Sequence, residues 1–390
     1  MSLDQRFPAY SDLEQRARRR LPRFVWDYLD SGTGDEITVE RNRRAFDAVT
    51  LLADILQTER EIDVGIEFLG RRQSLPFGFA PVGMSGLIWS GAEQMLASAA
   101  ARAGIPYCLS TVAADTPEAV GEVVGEQGWF QLYPLRDRNF LKDLLNRARN
   151  SGFHTLVVTV DLAAASRRER LTRAGVTNPM KLTPRVLMQC AMRPAWAFAM
   201  LKRGIPKLQT LASYADADEK RSGTAHIGYL LRTAPDWQYL KTVREIWDGR
   251  LIVKGVMDPT VAAELFANGA DAIWVSNHGG RQFDAGPASL EVLSHVRKAI
   301  GDKPLIFDSG VRSGTDIIKA LAMGADMVML GRAPLVALAA LGGQGIDHYV
   351  EMLRAGIVAD LGQLGFIDLS GLSSRLVSVS NASRMGNVKV

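Results

Sequence analysis

Short apolar runs rich in β-branched and aromatic residues recur along this chain, and segments with a helical period separate them. Strands that are apolar on both faces are typical of a parallel sheet covered by helices. Several runs follow a helix-like segment that ends in glycine, a common way to end a helix before a strand. The pattern predicts eight strands, over Leu75–Ala80, Ile105–Leu109, Trp129–Tyr133, Thr155–Val160, Leu251–Lys254, Ala272–Val275, Leu305–Asp308 and Met327–Leu330.

The segments between these strands have the periodicity of helices, as in Ala92–Ala103, Pro259–Ala267 and Ser313–Ala322. Eight strand–helix units predict an α/β fold of the (β/α)8 TIM barrel type. A doubly wound sheet is the alternative, but no G-x-G-x-x-G motif follows the first strand.

Two segments fall outside the repeat. Residues 1–70 precede the first strand, and the apolar positions Phe24, Val25 and Leu29 predict a helical extension that packs inward. Residues from about 175 to 235 lengthen the connection between the fourth and fifth strands and are predicted to be an insertion. We therefore expect one domain over residues 1–390, with the barrel over about 71–370.

Charge is concentrated in the insertion. The chain carries a net charge of +4, whereas residues 170–214 contain eight lysines and arginines and no acidic residue. Apolar residues such as Trp196, Phe198 and Leu201 lie among these bases. This combination suits an anionic membrane surface, and a packed helical cover over the barrel mouth is the alternative. A basic stripe also suits nucleic acid, but no nucleic-acid motif accompanies it, so we expect no such partner.

Other compositional signals narrow the class of protein. No run of 18 apolar residues predicts a helix that spans a membrane. The two cysteines predict neither a disulfide framework nor, with the histidines, a metal site. The sequence thus indicates a globular α/β protein without a structural metal.

The run Ser276–Asp284, directly after the sixth strand, holds a histidine, two glycines and an arginine. The carboxyl ends of all barrel strands converge on the face that carries active sites. His278 suits proton transfer near neutral pH, and Arg281 suits a carboxylate or phosphate. A base beside an anion-binding arginine predicts proton abstraction from a small organic acid.

Two further strand ends carry charged residues. Lys254 ends the fifth strand, where it is either a Schiff-base lysine or a fixed cation beside an electron-rich cofactor. Asp161 follows the fourth strand, where it either orients His278 or serves as a cap or turn residue.

The last two strands are followed by an anion-binding pattern. The stretch Asp308–Gly314 leads into a helix, and Gly331 and Arg332 follow the eighth strand. Backbone amides, a helix N-terminus and the arginines Arg312 and Arg332 predict a phosphate site, in the place where barrels often hold one. Loop glycines with surface arginines are the alternative.

These residues resemble a known family, the FMN-dependent L-2-hydroxy acid oxidases and dehydrogenases, and in particular its membrane-associated L-lactate and (S)-mandelate dehydrogenases. The Ser-Asn-His-Gly-Gly-Arg-Gln motif over residues 276–282 carries the resemblance. It extends over nearly the whole chain outside the insertion, through Ala80–Met84, Gln131–Tyr133, Thr159–Asp161, Leu251–Gly255, Asp308–Arg312 and Gly331–Arg332.

The resemblance implies an FMN site. Lys254 would lie near N1 and stabilise the negative charge of reduced flavin, which argues against a Schiff base. The phosphate would be held by Gly310, Arg312, Gly331 and Arg332. The ring would lie on Pro81, Val82 and Gly83, with Ser110, Gln131 and Thr159 at its edge and Ser276 and Asp308 also in the cofactor site.

The resemblance also implies substrate roles. His278 would take the substrate proton and Asp161 would stabilise the imidazolium. The carboxylate would be bound by Arg281 and Arg168, with hydroxyl contacts from Tyr28 and Tyr133. Arg168 is preferred to Arg167, although residues 162–168 depart from the family pattern.

Two departures bear on the electron acceptor. Val112 stands where plant-type oxidases carry Trp, and Gly83 stands where they carry Ala. Both resemble the bacterial dehydrogenases and imply a roomier site that is less directed to O2.

The expected protein is a peripheral-membrane dehydrogenase, on the cytoplasmic side of the inner membrane, that oxidises lactate or mandelate. Quinone or another acceptor would take the electrons, and the resemblance implies a homotetramer. The alternative is a soluble oxidase that reduces O2 to hydrogen peroxide.

Overall fold

The computed structural model describes residues 1–58, 60–164, 166–175, 183–204, 206–215 and 235–377. The strands are β1 (Ile66–Phe68), β2 (Arg71–Gln73), β3 (Phe77–Phe79), β4 (Tyr107–Ser110), β5 (Gly128–Leu132), β6 (Thr155–Thr159), β7 (Arg250–Lys254), β8 (Ala272–Val275), β9 (Leu305–Phe307) and β10 (Met327–Leu330). Eight of them are parallel and form a closed barrel in the order β10-β3-β4-β5-β6-β7-β8-β9. This confirms the predicted TIM barrel.

Helices surround the barrel and extend it at the N-terminus. Ahead of the barrel, and around its first half, are α1 (Leu3–Arg6), α2 (Tyr10–Arg20), α3 (Arg23–Asp30), α4 (Ile37–Asp47), α5 (Ser85–Ile88), α6 (Ala92–Ala103), α7 (Pro117–Val124), α8 (Arg138–Asn150) and α9 (Glu169–Ala174). The described part of the insertion and the second half contain α10 (Pro184–Ala191), α11 (Pro194–Arg203), α12 (Gln209–Ala215), α13 (Trp237–Ile246), α14 (Pro259–Ala267), α15 (Ser289–Ile300), α16 (Gly314–Ala322), α17 (Arg332–Leu341) and α18 (Gly343–Leu364).

The predicted elements match the observed ones closely. Helices α6 and α14 have the predicted bounds. Ser313 is the N-cap of α16 rather than its first residue, because its side-chain oxygen accepts a hydrogen bond from Asp316 N at 3.1 Å. The first barrel strand is shorter than predicted and covers Phe77–Phe79.

Apolar side chains fill the barrel lumen. Cys108, Trp129, Ile252 and Trp274 are buried there in one cluster. The β1–β2 hairpin adds Phe68, whose ring stacks on Trp129 with centroids 6.2 Å apart. Because this packing closes the amino-terminal end of the barrel, a ligand site belongs at the carboxyl end.

The N-terminal helices pack their apolar side inward, as the apolar positions predict. The side chain of Arg16 in α2 donates to the carbonyl of Ala340 at the end of α17, with a distance of 2.9 Å. The amides of Asn42 in α4 and Asn277 after β8 exchange two hydrogen bonds, of 2.9 and 2.8 Å. The Asn42–Asn277 contact brings the extension next to one of the predicted site loops, the segment after β8.

The insertion covers part of this mouth and also has an exposed apolar side. Parts of the predicted segment, residues 176–182, 205 and 216–234, lie outside the described residues. Within the described part, the Trp196 indole N–H donates to Leu87 O at 3.1 Å and meets Phe24 edge-on at 5.9 Å. In contrast, Phe198 is 66% exposed and Leu201 is 77% exposed. None of the helices within the described ranges is long and apolar enough to cross a membrane.

Candidate active site

A cavity of about 340 Å³ opens at the carboxyl end of the barrel. It is lined by the loops that follow the strands and by helices α3 and α4 of the extension. Its lining includes fourteen of the residues predicted for the site, namely Tyr28, Pro81, Val82, Gly83, Tyr133, Arg168, Lys254, His278, Arg281, Asp308, Gly310, Arg312, Gly331 and Arg332.

His278 lies at the centre of the mouth with its imidazole fixed from behind. Its Nδ1 is 3.2 Å from each carboxylate oxygen of Asp161. An acceptor at this position keeps the proton on Nδ1, so Nε2 is the nitrogen that can accept a proton. The backbone of His278 has φ 57°, and its N–H donates to Ser276 Oγ at 3.0 Å, so a strained conformation is held in place.

Opposing effects set the protonation of this pair. Burial lowers the pKa of His278 below its ordinary value, and the Asp161 carboxylate opposes the shift. Burial by itself raises the pKa of Asp161, but His278 and Lys254 outweigh it and bring that pKa below its ordinary value. The expected state at neutral pH is a neutral imidazole beside a carboxylate.

Tyr133 brings a hydroxyl to the same nitrogen. Its oxygen lies 3.4 Å from His278 Nε2, and the two rings are nearly parallel with centroids 6.5 Å apart. Burial raises the pKa of Tyr133, and the Asp161 charge raises it further. Tyr133 is therefore a hydrogen-bond donor at every physiological pH.

Lys254 lies at the floor of the cavity. Its Nζ donates to Ser276 Oγ at 3.0 Å and lies 3.5 Å from Asp308 Oδ2. It also lies 5.3 Å from the centre of the Trp274 ring, which favours a cation. A buried lysine with a carboxylate partner and a ring contact is a fixed positive charge rather than a free amine.

A hydrogen-bonded row of side chains continues the floor across three strands. Ser110 donates to Gln131 Oε1 at 3.0 Å, and Gln131 Nε2 donates to Thr159 Oγ1 at 3.0 Å. All three residues are buried. The row lies at the carboxyl ends of β4, β5 and β6 and fixes the orientation of the Gln131 amide.

The predicted phosphate residues meet at one part of the cavity lining. Arg312 and Arg332 both line it beside Gly310 and Gly331. Burial, followed by the charge of Arg312, lowers the pKa of Arg332 to about 10. Gly310 has φ 91°, and a Cβ there would lie 2.6 Å from the carbonyl oxygen of Asn42, so only glycine fits. Two half-buried guanidinium groups near each other favour a ligand with more than one negative charge.

The predicted substrate side chains come from three segments. Arg281 Nη1 donates to Ser31 O at 2.7 Å and to Tyr28 O at 3.2 Å, which satisfies carbonyls at the end of α3. Burial and the charges of Arg168 and Arg332 lower the pKa of Arg281 to about 9, so it stays protonated at neutral pH. The Arg168 side chain lines the cavity, whereas that of Arg167 is 85% exposed.

The hydroxyl of Tyr28 donates to Gly83 O at 2.9 Å and so joins α3 to the loop after β3. A Cβ at Gly83 would lie 2.5 Å from Val112 Cγ2, so these two residues share one wall of the cavity. The predicted positions Gly83 and Val112 therefore control the room available there.

Several lining residues were not predicted. Leu162 follows Asp161 at a strand end, so the rule that found Asp161 could have found it. The α4 residues Val39, Asn42 and Arg43 reach the cavity from outside the barrel repeat. A periodic pattern carries no signal for such a contact.

The model of the FMN-dependent dehydrogenase family matches residues 17–379. The chain belongs to the FMN-dependent dehydrogenase family. Its cofactor is FMN, and the site fits the group: the half-buried arginines Arg312 and Arg332 suit a phosphate, and Lys254 supplies a fixed cation in the same cavity.

Curated relatives cover most of this FMN-dependent dehydrogenase. An L-lactate dehydrogenase of Caulobacter vibrioides is 38% identical over 373 residues, 94% of this chain and 97% of the relative. The (S)-mandelate dehydrogenase of Pseudomonas putida is 35% identical over 362 residues, 93% of this chain and 91% of the relative.

Solved structures are similar over the same extent. A structure of (S)-mandelate dehydrogenase, described as a monotopic membrane protein, has a TM-score of 0.90 at 34% identity and covers 95% of this chain and 98% of that one. A mandelate oxidase has a TM-score of 0.79 at 30% identity, with 95% and 98% covered.

Proposed function

We propose that this protein oxidises an L-2-hydroxy acid, lactate or mandelate, to the 2-keto acid. The observation that carries the proposal is that His278, which is paired with Asp161, lines one cavity together with Arg281 and Arg168. His278, with its acceptor nitrogen toward the cavity, can remove a proton from a bound ligand, and the two arginines can bind an anionic group of that ligand. A 2-hydroxy acid supplies both on adjacent carbons.

The role of His278 is to take a proton from the substrate on Nε2. The imidazolium that forms is stabilised by Asp161, which lies 3.2 Å from Nδ1. The Tyr133 hydroxyl, 3.4 Å from Nε2, would donate a hydrogen bond to a substrate oxygen that lies close to both atoms. When bound, FMN would supply the acceptor for the two electrons and the second hydrogen that leave the substrate in this oxidation.

The two arginines orient the substrate. Arg281 is held by the carbonyls at the end of α3, so its guanidinium is fixed before the acid binds. Arg168 enters from the segment after β6. Two guanidinium groups that converge on one carboxylate fix the hydroxyl-bearing carbon relative to His278, which favours one enantiomer.

Lys254 would act as a positioned cation beside the cofactor. Its contacts with Ser276 and Asp308 hold Nζ at the floor of the cavity. A fixed cation there stabilises negative charge that develops on the cofactor side during oxidation.

The electron acceptor is proposed to be a membrane quinone. Support comes from α10 and α11, where the exposed apolar residues Met188, Phe198 and Leu201 lie among exposed bases such as Arg185 and Lys202. An apolar surface with basic flanks binds anionic lipid headgroups and their acyl boundary. The cytoplasmic side of the inner membrane and the homotetramer remain predictions from the resemblance.

Reduction of O2 to hydrogen peroxide is the second candidate. The mandelate oxidase neighbour favours it, since it has the same fold at 30% identity. The roomier wall at Gly83 and Val112 favours the dehydrogenase.

The test is anaerobic reduction of the FMN-loaded protein by a panel of L- and D-2-hydroxy acids. We expect flavin bleaching with the L-enantiomers of lactate or mandelate and none with the D-enantiomers. If neither L-lactate nor L-mandelate bleaches the flavin, the proposed substrate class is wrong. Peroxide formed in stoichiometric amounts in air, with no transfer to a quinone analogue, would favour the oxidase.

A further inference from the structure

The segment after β6 carries Arg168, and the neighbouring Arg170 ties it to the N-terminal extension. The Arg170 side chain is only 28% exposed. Its Nη1 lies 3.0 Å from Asp30 Oδ2, and its Nε lies 3.0 Å from Glu36 Oε1. Asp27 Oδ1 is 4.0 Å from Nη1. Because the contacts use different edges of the guanidinium, they fix its orientation as well as its position.

Two hydrogen bonds secure the chain on either side of Arg168. The Thr33 hydroxyl donates to Arg167 O at 2.6 Å. The backbone N–H of Gly34 donates to Glu169 Oε2 at 2.9 Å. The loop between α3 and α4 is therefore hydrogen-bonded both to the residue before Arg168 and to the residue after it.

The same loop is fixed to the site from the other direction. Arg281 donates to Ser31 O at 2.7 Å, and Thr33 N–H donates to Gly280 O at 3.0 Å. The loop thus joins the segment after β6 to the segment after β8. Each of these two segments carries one of the proposed carboxylate-binding arginines.

Local structure alone does not hold Arg168 in place. It is the N-cap of α9, a helix of six residues. A helix this short is unstable in isolation, so tertiary contacts must set its direction. The ion pairs of Arg170 are part-buried and are screened by salt less than surface pairs are.

We propose that Arg170 is a positioning residue that holds Arg168 against the substrate carboxylate by clamping the segment after β6 onto Asp30 and Glu36. This inference rests on the proposed role of Arg168 as a carboxylate ligand. It assigns the N-terminal extension a part in substrate binding beyond the contact predicted for Tyr28. Loss of the clamp lets Arg168 move away, while the FMN end of the cavity stays intact.

The test uses FMN-loaded protein and two readouts. The first is the dissociation constant of oxalate, an unreactive dicarboxylate, followed by its perturbation of the flavin absorption spectrum. The second is the separation of KM from kcat for L-lactate and (S)-mandelate. Arg170→Gln should raise both the oxalate dissociation constant and KM by about 3- to 10-fold, with kcat within about 2-fold and FMN content unchanged.

Three matched variants accompany it. Arg170→Lys keeps the charge but reaches one carboxylate at a time, so it should recover part of the oxalate affinity. Glu36→Gln removes one arm of the clamp and should give a smaller loss of the same kind. Arg354→Gln breaks an exposed pair with Glu351, of 2.9 Å, and should change neither readout.

A double-mutant cycle tests whether Arg170 acts through Arg168. Arg168→Met alone should weaken oxalate binding by about 10- to 100-fold, and adding Arg170→Gln should weaken it little further. The proposed role of Arg170 is wrong if Arg170→Gln weakens oxalate binding as much in the Arg168→Met background as in the wild type. It is also wrong if Arg170→Gln has no effect in the wild-type background. If Arg168→Met leaves oxalate affinity unchanged, the proposed carboxylate ligand itself is wrong.

Discussion

The imidazole Nδ1 of His278 lies 3.2 Å from both carboxylate oxygens of Asp161, although 117 residues separate the two along the chain. This relationship fixes the tautomer of the imidazole and turns Nε2 toward the cavity. The proposed transfer of the substrate proton to Nε2 depends on this contact.

Asp161→Asn should move the pH dependence of substrate oxidation in a defined direction. The Asp161 charge raises the pKa of His278 against the lowering effect of burial. Removing it lowers that pKa further, so the fall of kcat/KM on acidification should shift to lower pH. The maximal rate should drop by about 10²-fold or more, because the imidazolium loses its partner. An acid limb that stays in place or moves to higher pH would argue against this coupling.

Lys254→Met should make the bound flavin harder to reduce. Replacing a fixed cation by a neutral side chain leaves Asp308 without its partner at 3.5 Å and removes positive charge from the floor of the cavity. The midpoint potential should fall by on the order of 30–90 mV, since about 30 mV corresponds to about 1.4 kcal/mol for two electrons. A redox titration against a reference dye measures it, and Lys303→Met, far along the chain, is the matched control. An unchanged or higher potential would count against the fixed-cation role.

The wall between Gly83 and Val112 should set the size of acid that the site accepts. Gly83→Ala introduces a methyl group that would lie 2.5 Å from Val112 Cγ2, so one of the two must move. We expect KM for (S)-mandelate to rise by about 10-fold, with a smaller change for L-lactate. The double variant Gly83→Ala/Val112→Ala should recover most of the loss. Equal effects on both acids, with no recovery, would mean that the wall does not discriminate by size.

The exposed side of α11 should bind lipid. Phe198→Ser/Leu201→Ser should reduce sedimentation with anionic vesicles by about 10-fold, since each exposed apolar side chain contributes to insertion. Ile367→Ser, which removes an exposed apolar residue outside the insertion, is the control. Sedimentation that is the same for all three proteins would refute the membrane surface.

The barrel and the centre of the site could be predicted from the sequence because both follow from strand ends. Once eight apolar runs are closed into a barrel, Asp161, Lys254 and His278 must meet on one face. The observed contacts of Lys254 with Ser276 and Asp308 arise from the same geometry.

The extension could not be predicted in this way. Its helical character follows from apolar periodicity, but nothing in that period shows that Asn42 pairs with Asn277 or that Arg170 reaches Asp30. Such contacts depend on the angle at which α3 and α4 cross the mouth of the barrel. Packing sets this angle, and local sequence does not record it.

The central claim is that His278 removes the substrate proton. The most direct measurement is anaerobic stopped-flow reduction of FMN-loaded wild-type protein and His278→Gln by L-lactate and (S)-mandelate. The account predicts that the variant binds FMN and oxalate normally while its flavin is reduced about 10²- to 10⁴-fold more slowly. Reduction of the His278→Gln flavin at the wild-type rate would contradict it.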